Sequence, residues 1–217
     1  MADATKPTLT YFALHAKADP IRMLLSKAGV EFNNVTLTFD EWGAAKASGK
    51  YPTGQVPLWE TPDGRKMNQA FAILRYLGRQ HGFYDGGDLE ESLIVDWVLE
   101  TSIDLQVSKA YAVQLFGSTD AAAIEAAKAN FSKFNKQISE KLTSRGKPFI
   151  AGDRLTIADF VVLSHYLCLA FNDACEHAVV AAHAEAARGE GIVMEYLERV
   201  KAEVAPFLAT RSTTFPC

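Results

Sequence analysis

The 217-residue sequence contains only three cysteines, Cys168, Cys175 and Cys217. Three cysteines are too few for a disulfide framework, and such a low number is typical of a protein kept in a reducing compartment. No apolar run approaches the roughly 18 residues that a membrane-spanning helix needs. Residues 1–7 also lack the apolar core of a signal peptide. We therefore expect a cytoplasmic protein that has no membrane partner.

Neither sign of charge dominates, because 22 Lys and Arg stand against 26 Asp and Glu, with a formal net charge of −4. This balance disfavours nucleic acid as a partner, since cations supply most of that affinity. The five histidines are scattered without zinc-ligand spacing, so we expect no metal site. The Gly-x-Ser-x-Gly elbow, the phosphate loop and the dinucleotide fingerprint are absent as well.

The pattern of the sequence changes near residue 82. Before it, short strand-like runs alternate with helical ones in the order β-α-β-α-β-β-α, with Asp19 as the expected N-cap of the first helix. After a Gly-rich connector the periodicity is helical throughout, with helices predicted to start near Asp120 and at the Thr156–Asp159 capping box. We predict an α/β thioredoxin-like domain with a mixed four-stranded sheet over 1–82, a linker over 83–88 and an all-α helical bundle over 89–217.

The segment after the first predicted strand has no cysteine. Thioredoxin-type redox enzymes carry Cys-x-x-Cys there, whereas residues 11–15 read Tyr-Phe-Ala-Leu-His. Thiol–disulfide exchange on the protein's own sulfur is therefore excluded at this position. A reactive sulfur at this site would have to arrive with a cosubstrate.

Five segments between Tyr11 and Asp159 form a pattern that is specific through its order and spacing. The segments are Tyr11-Phe12 followed by Asp19-Pro20-Ile21-Arg22, Trp42-x-x-x-Lys46, Gly54-Gln55-Val56-Pro57-Leu58, Asn68-Gln69-Ala70 leading to Arg75-Tyr76-Leu77, and Gly152-Asp153-x-x-Thr156-x-x-Asp159. Together they resemble the tyrosine-type cytosolic glutathione S-transferases, most closely the sigma-like classes, with mu, pi and alpha as neighbours. The resemblance implies a homodimer that uses glutathione as cosubstrate and needs no metal.

The resemblance implies two catalytic residues, Tyr11 and Lys17. The Tyr11 hydroxyl would donate a hydrogen bond to the glutathione sulfur, whose reference pKa of about 8.5 leaves under about a tenth ionised at neutral pH. Lowering that pKa by about two units stabilises the thiolate by roughly 2.7 kcal/mol. Lys17 stands where many relatives carry Arg near the Tyr hydroxyl, but Lys lacks the bidentate contacts of Arg, and a purely solvated Lys17 stays open.

The resemblance also implies a set of residues that hold the tripeptide. Indole and ammonium donors would reach the glycyl carboxylate, a strand-like backbone would pair with the cysteinyl unit, and a helix start would favour the γ-glutamyl carboxylate. An Asp from the partner chain would reach the glutamyl ammonium across a two-fold interface. These residues are Trp42, Lys46, Gln55, Val56, Pro57, Gln69, Ala70 and Asp104, together with Tyr11.

Ala70 departs from the family pattern, which has Ser after Gln. The hydroxyl contact to the γ-glutamyl carboxylate is then missing, and a hydrogen bond to a charged group contributes about 1.5–3 kcal/mol. Glutathione affinity is therefore expected to be at least about tenfold weaker unless another contact compensates. Thr53 rather than an aromatic residue precedes Gly54, which favours the open dimer interface of the sigma-like classes.

A pocket for small hydrophobic electrophiles is expected between the two domains, lined by Leu14, His15, Ser108, Tyr111, Ala112 and Leu115. Three functions stay open. They are a detoxifying transferase, a prostaglandin-type isomerase that uses the same thiolate transiently, and a weakly active or non-catalytic ligand-binding or structural relative. Catalysis is favoured by the presence of Tyr11, Trp42 and Gln69. A reduced or specialised catalytic activity is favoured by Ala70 and Lys17.

Overall fold

The computed structural model describes residues 3–84 and 88–213. The middle of the predicted linker, residues 85–87, and the third cysteine, Cys217, lie outside the described residues. The N-terminal part has the predicted order of strands and helices. Its elements are β1 Thr8–Phe12, a 3₁₀ turn Ala16–Ala18, α1 Asp19–Lys27, β2 Asn33–Leu37, α2 Phe39–Ala47, β3 Leu58–Glu60, β4 Lys66–Asn68 and α3 Ala70–His81.

The four strands form one mixed sheet in the order β2-β1-β3-β4, as predicted. The β1–β2 pair is parallel, with Tyr11 opposite Thr36, whereas β1–β3 and β3–β4 are antiparallel. A short turn containing Gly64, at φ +84°, connects the last two strands. Fully buried side chains of β1, α1 and α3 form the core of this part, among them Leu9, Ile21 and Ile73.

The start of α1 differs from the prediction. Asp19 was expected to cap this helix from outside, but it is the first helical residue, Ala18 is the N-cap, and no side chain caps the helix. The Asp19 carboxylate is completely buried, and it accepts a hydrogen bond of 3.0 Å from Arg211 Nε. The N-cap prediction was wrong because a buried carboxylate needs a cationic partner, and that partner lies 192 residues away in the sequence.

The second part of the chain is helical. Its helices are α4 Leu89–Val107, α5 Lys109–Phe116, α6 Ala121–Arg145, α7 Ile157–Leu169, α8 Ala178–Arg188, α9 Gly191–Glu203 and α10 Ala205–Leu208. Asp120 caps α6 by accepting from the Ala122 N–H at 2.9 Å. At the start of α7, the buried Asp159 carboxylate accepts from the Thr156 N–H at 2.7 Å and from the Tyr196 hydroxyl at 2.8 Å. Both predicted helix starts are confirmed.

The two parts pack closely along α1, α3 and α7. A Cβ added to Gly78 of α3 would lie 2.7 Å from Ile157 Cγ2, so only glycine allows this approach. The Ile157 N–H donates to the Phe83 carbonyl at 2.7 Å, which ties the end of the first part to the start of α7. Within the described chain, no helix combines the length and apolar character needed to cross a membrane.

Candidate functional site

A depression of about 220 Å³ lies where the end of β1 meets α2, the loop before β3 and the start of α3. Seven of the residues predicted from the sequence line it together. The complete lining is Phe12, Lys17, Trp42, Gly54, Gln55, Val56, Pro57, Gln69 and Ala70. Residues from four separate stretches of the chain thus converge on one concave surface.

The Val56–Pro57 peptide bond is cis and forms one wall of the depression. The ladder of β3 begins at Leu58, which pairs with Thr10 on one side and with Asn68 on the other. Val56 therefore precedes the ladder, at a position where the backbone of an extended peptide can pair as an added strand does.

The start of α3 forms the opposite wall. Gln69 has a φ of +69°, a region that non-glycine residues rarely adopt. Its side-chain Nε2 donates to Gln55 Oε1 at 2.9 Å, so the two amides are held together at the rim. Ala70 is the first residue of α3, where unpaired backbone N–H groups and the helix dipole favour an anionic group.

Helix α2 contributes Trp42 to the lining of the depression, whereas Lys46 lies next to the lining residue Gly54 without lining the depression itself. The Trp42 ring is half-buried and packs edge-on against Phe12 and Tyr51, with centroid distances of 5.7 Å and 5.0 Å. Lys46 is exposed, and its side chain runs beside Gly54, where an added Cβ would lie 3.2 Å from Lys46 Cε. Gly54 has a φ of +60°, a conformation that favours glycine.

Tyr11 lies on β1 next to Phe12 and is only 6% exposed. Burial raises the pKa of its hydroxyl to about 12, although the backbone N–H of Lys17 faces the oxygen and opposes the rise. Tyr11 is therefore protonated at neutral pH and able to donate a hydrogen bond. The Lys17 side chain is exposed and lines the depression. Lys17 therefore presents its backbone N–H to Tyr11 and its side chain to the depression.

The residues predicted for the electrophile pocket occupy different environments. Leu14 and Tyr111 are buried, Ala112 is exposed, and Leu115 is half-buried. Ser108 caps α5, with its hydroxyl accepting from the Tyr111 N–H at 3.2 Å. The pocket itself stays a prediction.

His15 is buried next to Asp19. It is only 2% exposed, its Nδ1 lies 3.3 Å from Asp19 Oδ1, and it lines a different cavity of about 540 Å³ with Asp19 and Arg211.

Asp104 is exposed on α4 and is not among the residues that line the depression. Across residues 3–84 and 88–213, no group of three or more His, Cys, Asp or Glu side chains is arranged to hold a metal ion.

The sequence reasoning did not assign Phe12, Gly54 and Tyr51 to the site. Phe12 and Gly54 line the depression, and Tyr51 packs edge-on against the Trp42 ring. Phe12 and Gly54 could have been assigned from the sequence, because each belongs to one of the five segments that resemble the family. Tyr51 had no such signal, since an isolated aromatic residue in a loop does not indicate which ring it will contact.

The fold and the depression define a two-part protein with a thioredoxin-like sheet domain and an all-helical domain. Family models described as "Glutathione S-transferase, N-terminal domain" and "Glutathione S-transferase, C-terminal domain" match residues 17–80 and 106–200. Together these matches span well over half of the chain. The chain belongs to the glutathione S-transferase family.

Individual relatives agree with this assignment. The chain is 32% identical to "Glutathione S-transferase A3" of Mus musculus, over 74% of this chain and 72% of the relative. It is 31% identical to "Probable glutathione S-transferase 7" of Caenorhabditis elegans, over 88% and 94%. The solved structure "Fasciola hepatica sigma class GST" superposes with a TM-score of 0.77 at 27% identity, covering 97% of this chain and 98% of that one.

Proposed function

We propose that this protein conjugates glutathione to hydrophobic electrophiles and that Tyr11 activates the thiol. The observation that carries the proposal is the convergence of six of the predicted glutathione-binding residues around one depression. Tyr11 is not itself among the lining residues, but its buried, protonated side chain contacts two of them, Phe12 and Lys17. The volume of about 220 Å³ is small, which suits a site that holds a peptide along an open surface rather than enclosing it.

In the proposed reaction, the Tyr11 hydroxyl donates a hydrogen bond to the glutathione sulfur as the thiol proton leaves to solvent. A donor that stays protonated stabilises the thiolate without competing for its proton. The Lys17 N–H, which faces the Tyr11 oxygen, aligns this hydroxyl and strengthens its donor character. The thiolate then forms a bond to the electrophilic carbon and the leaving group departs with its electron pair.

The depression supports specific positions for the parts of glutathione. Trp42 and Lys46 of α2 would meet the glycyl carboxylate, the backbone of Val56 would pair with the cysteinyl unit, and Gln69 with the Ala70 N–H would meet the γ-glutamyl carboxylate. The Gln55–Gln69 hydrogen bond supports this arrangement because it holds two of the binding loops in register.

We further propose that the protein is a cytoplasmic homodimer that acts in detoxification, with its two domains divided at residues 83–88. Exposed apolar side chains on α3 and α4 support dimerisation: Leu89 is 86% exposed, Leu93 60% and Tyr76 36%. Tyr51 is buried against Trp42 and does not project as an aromatic key, which supports a sigma-like interface. Asp104, exposed on α4, would then reach the partner's glutathione.

Turnover of a chloronitrobenzene with glutathione tests the proposal. We expect the parent to release chloride and form the thioether, and Tyr11→Phe to lose about ten- to a hundredfold in kcat, as expected for the loss of one positioned donor. Tyr166→Phe is the matched control, because it also removes a buried hydroxyl, which donates to Asn135 at 2.6 Å in the helical core.

A parent rate equal to that in buffer would overturn the proposed conjugation. Retention on immobilised glutathione then distinguishes a protein that still binds the tripeptide from one without the site. Product analysis with an endoperoxide substrate tests the isomerase alternative, which would require the same thiolate and release glutathione unchanged.

A further inference from the structure

A series of buried polar contacts connects the last described segment of the chain to the turn beside Tyr11. Arg211 follows α10, and its Nε and Nη2 both lie 3.0 Å from Asp19 Oδ2. The Arg211 side chain is 13% exposed, and the Asp19 side chain is completely buried. Burial alone would raise the pKa of Asp19, but His15 and Arg211 outweigh it and hold the pKa below its ordinary value. Asp19 is therefore an ionised carboxylate that depends on these partners.

The second oxygen of Asp19 contacts the residue that precedes the 3₁₀ turn, His15. Asp19 Oδ1 lies 3.3 Å from His15 Nδ1, and the backbone N–H groups of Ala18 and Asp19 donate to the His15 carbonyl at 3.2 Å and 3.1 Å. His15 and Asp19 therefore hold both ends of the turn Ala16–Ala18.

The conformation of this turn requires support from its surroundings. Ala16 has a φ of +31°, which is unfavourable for a residue with a Cβ and persists only where neighbouring contacts enforce it. Lys17, the next residue, directs its N–H towards the Tyr11 oxygen and lines the depression with its side chain. On the other side of the turn, Leu14 precedes His15, and its carbonyl accepts a hydrogen bond of 2.8 Å from Arg22 Nη1.

We infer that Arg211 is a positioning residue for the thiol-activating group. Through Asp19 and His15 it holds the 3₁₀ turn in the strained conformation that presents the Lys17 amide to Tyr11. The glutathione-binding surface is formed largely by α2, the loop before β3 and α3, so Arg211 acts on the chemical step and not on tripeptide binding. This inference rests on the proposed function of Tyr11.

The test compares Arg211→Gln with Arg211→Lys and with Arg199→Gln. Arg199 is the matched control, because it is an exposed arginine of α9 whose Nη1 donates to the Pro148 carbonyl, away from the turn. For each folded variant we would measure kcat for the chloronitrobenzene, the dissociation constant for glutathione, and the pKa of the bound thiol from its ultraviolet absorbance.

Arg211→Gln is expected to lower kcat by roughly tenfold, because a small displacement of a catalytic group by a remote substitution has effects of this order or larger. The pKa of the bound thiol should rise by up to about one unit, while the dissociation constant for glutathione changes little. Arg211→Lys keeps the charge with a single contact and should be intermediate, and Arg199→Gln should match the parent. If Arg211→Gln does not fold, the Arg211→Lys result decides.

A purely structural role predicts a different outcome, in which Arg211→Gln lowers the melting temperature but leaves kcat and the thiol pKa at parental values below that temperature. That result would overturn the inference while the proposed function stands. A parent protein without turnover and without a thiolate signal would overturn the proposed function, and the positioning role with it.

Discussion

At the residue scale, the chemical role proposed for Tyr11 depends on its burial. Removal of its hydroxyl from water raises its pKa to about 12, so the phenol keeps its proton throughout the pH range in which glutathione ionises. A more exposed phenol would have a pKa near 10, and water would compete for its hydrogen bond. The same residue type at the surface would therefore not provide the same donor.

Ala70 allows a test of the γ-glutamyl subsite at this scale. Ala70→Ser adds a hydroxyl at the first position of α3, on the wall of the depression, and should tighten glutathione binding by about tenfold through one hydrogen bond to a carboxylate. Ala72→Ser places the same hydroxyl on the exposed side of α3 and should leave the affinity unchanged. Calorimetric titration measures both, and an unchanged or weaker affinity for Ala70→Ser would count against this subsite.

Residue types in the depression could be predicted from the sequence because short motifs carried them. The environments of His15 and Asp19 could not, since the arginine that neutralises Asp19 is 192 positions away and a local pattern favoured an N-cap. The positive φ of Gln69 could not be predicted either, because non-glycine residues rarely adopt this backbone conformation. Long-range pairing and enforced backbone geometry were the missing information.

At the scale of elements, α2 depends on the cap at its N-terminus. None of its residues is fully buried, so packing contributes little to this helix. Its N-terminus has a complete capping box, in which the Thr38 hydroxyl accepts from the Glu41 N–H at 3.2 Å and the Glu41 carboxylate accepts from the Thr38 N–H at 2.7 Å. The site residue Trp42 follows directly, so its position depends on this cap.

Thr38→Ala is expected to destabilise α2 locally by about 1 kcal/mol, the typical contribution of an N-cap. The dissociation constant for glutathione should rise by up to about fivefold, with little change in the global melting temperature. Asp120→Ala removes the cap of α6 and is the matched control, expected to lower the melting temperature and to leave glutathione binding intact. Equal glutathione affinities for Thr38→Ala and the parent would show that α2 does not depend on its cap.

Helix α7 contributes a pH dependence through His165. This side chain is only 5% exposed, and burial lowers its pKa from 6.5 to about 4. The unfolded chain therefore binds a proton that the folded chain does not between pH 6.5 and 4, so stability falls as the pH falls through this window. The expected slope from this residue is about 1.4 kcal/mol per pH unit.

Denaturant unfolding of His165→Gln across this pH window checks the assignment. The variant should show a flatter decline in the free energy of unfolding on acidification than the parent. His81→Gln, at the half-buried end of α3, should keep the parental slope. A parental slope for His165→Gln would mean that other groups cause the acid sensitivity.

At the scale of the whole molecule, the sequence predicted the order and class of the elements, since hydrophobic periodicity and turn residues are local signals. It did not predict how closely α3 approaches α7 at Gly78, or that the C-terminal segment returns to α1 through Arg211. Both depend on contacts between elements that are distant in the chain. The predicted electrophile pocket also belongs to this scale, because its predicted lining combines side chains from both parts of the chain.

Dimerisation is the property of the whole molecule most open to test. Leu93→Glu places a charge on the exposed apolar face of α4 and should convert a dimer into a monomer in sedimentation experiments, because an unpaired charge is strongly unfavourable within an interface. Ile192→Glu on α9 is the control at another exposed aliphatic position and should remain dimeric. Asp104→Asn should weaken glutathione binding in the dimer but have no further effect in the Leu93→Glu background. A parent that sediments as a monomer would contradict the proposed shared site.

The central claim is that the Tyr11 hydroxyl stabilises the thiolate of bound glutathione, and its most direct test is the ultraviolet absorbance of that thiolate as a function of pH. The parent should titrate about two units below the free thiol, whose reference pKa is about 8.5, whereas Tyr11→Phe should titrate close to the free value with glutathione still bound. Identical titration curves for the parent and Tyr11→Phe would contradict the claim.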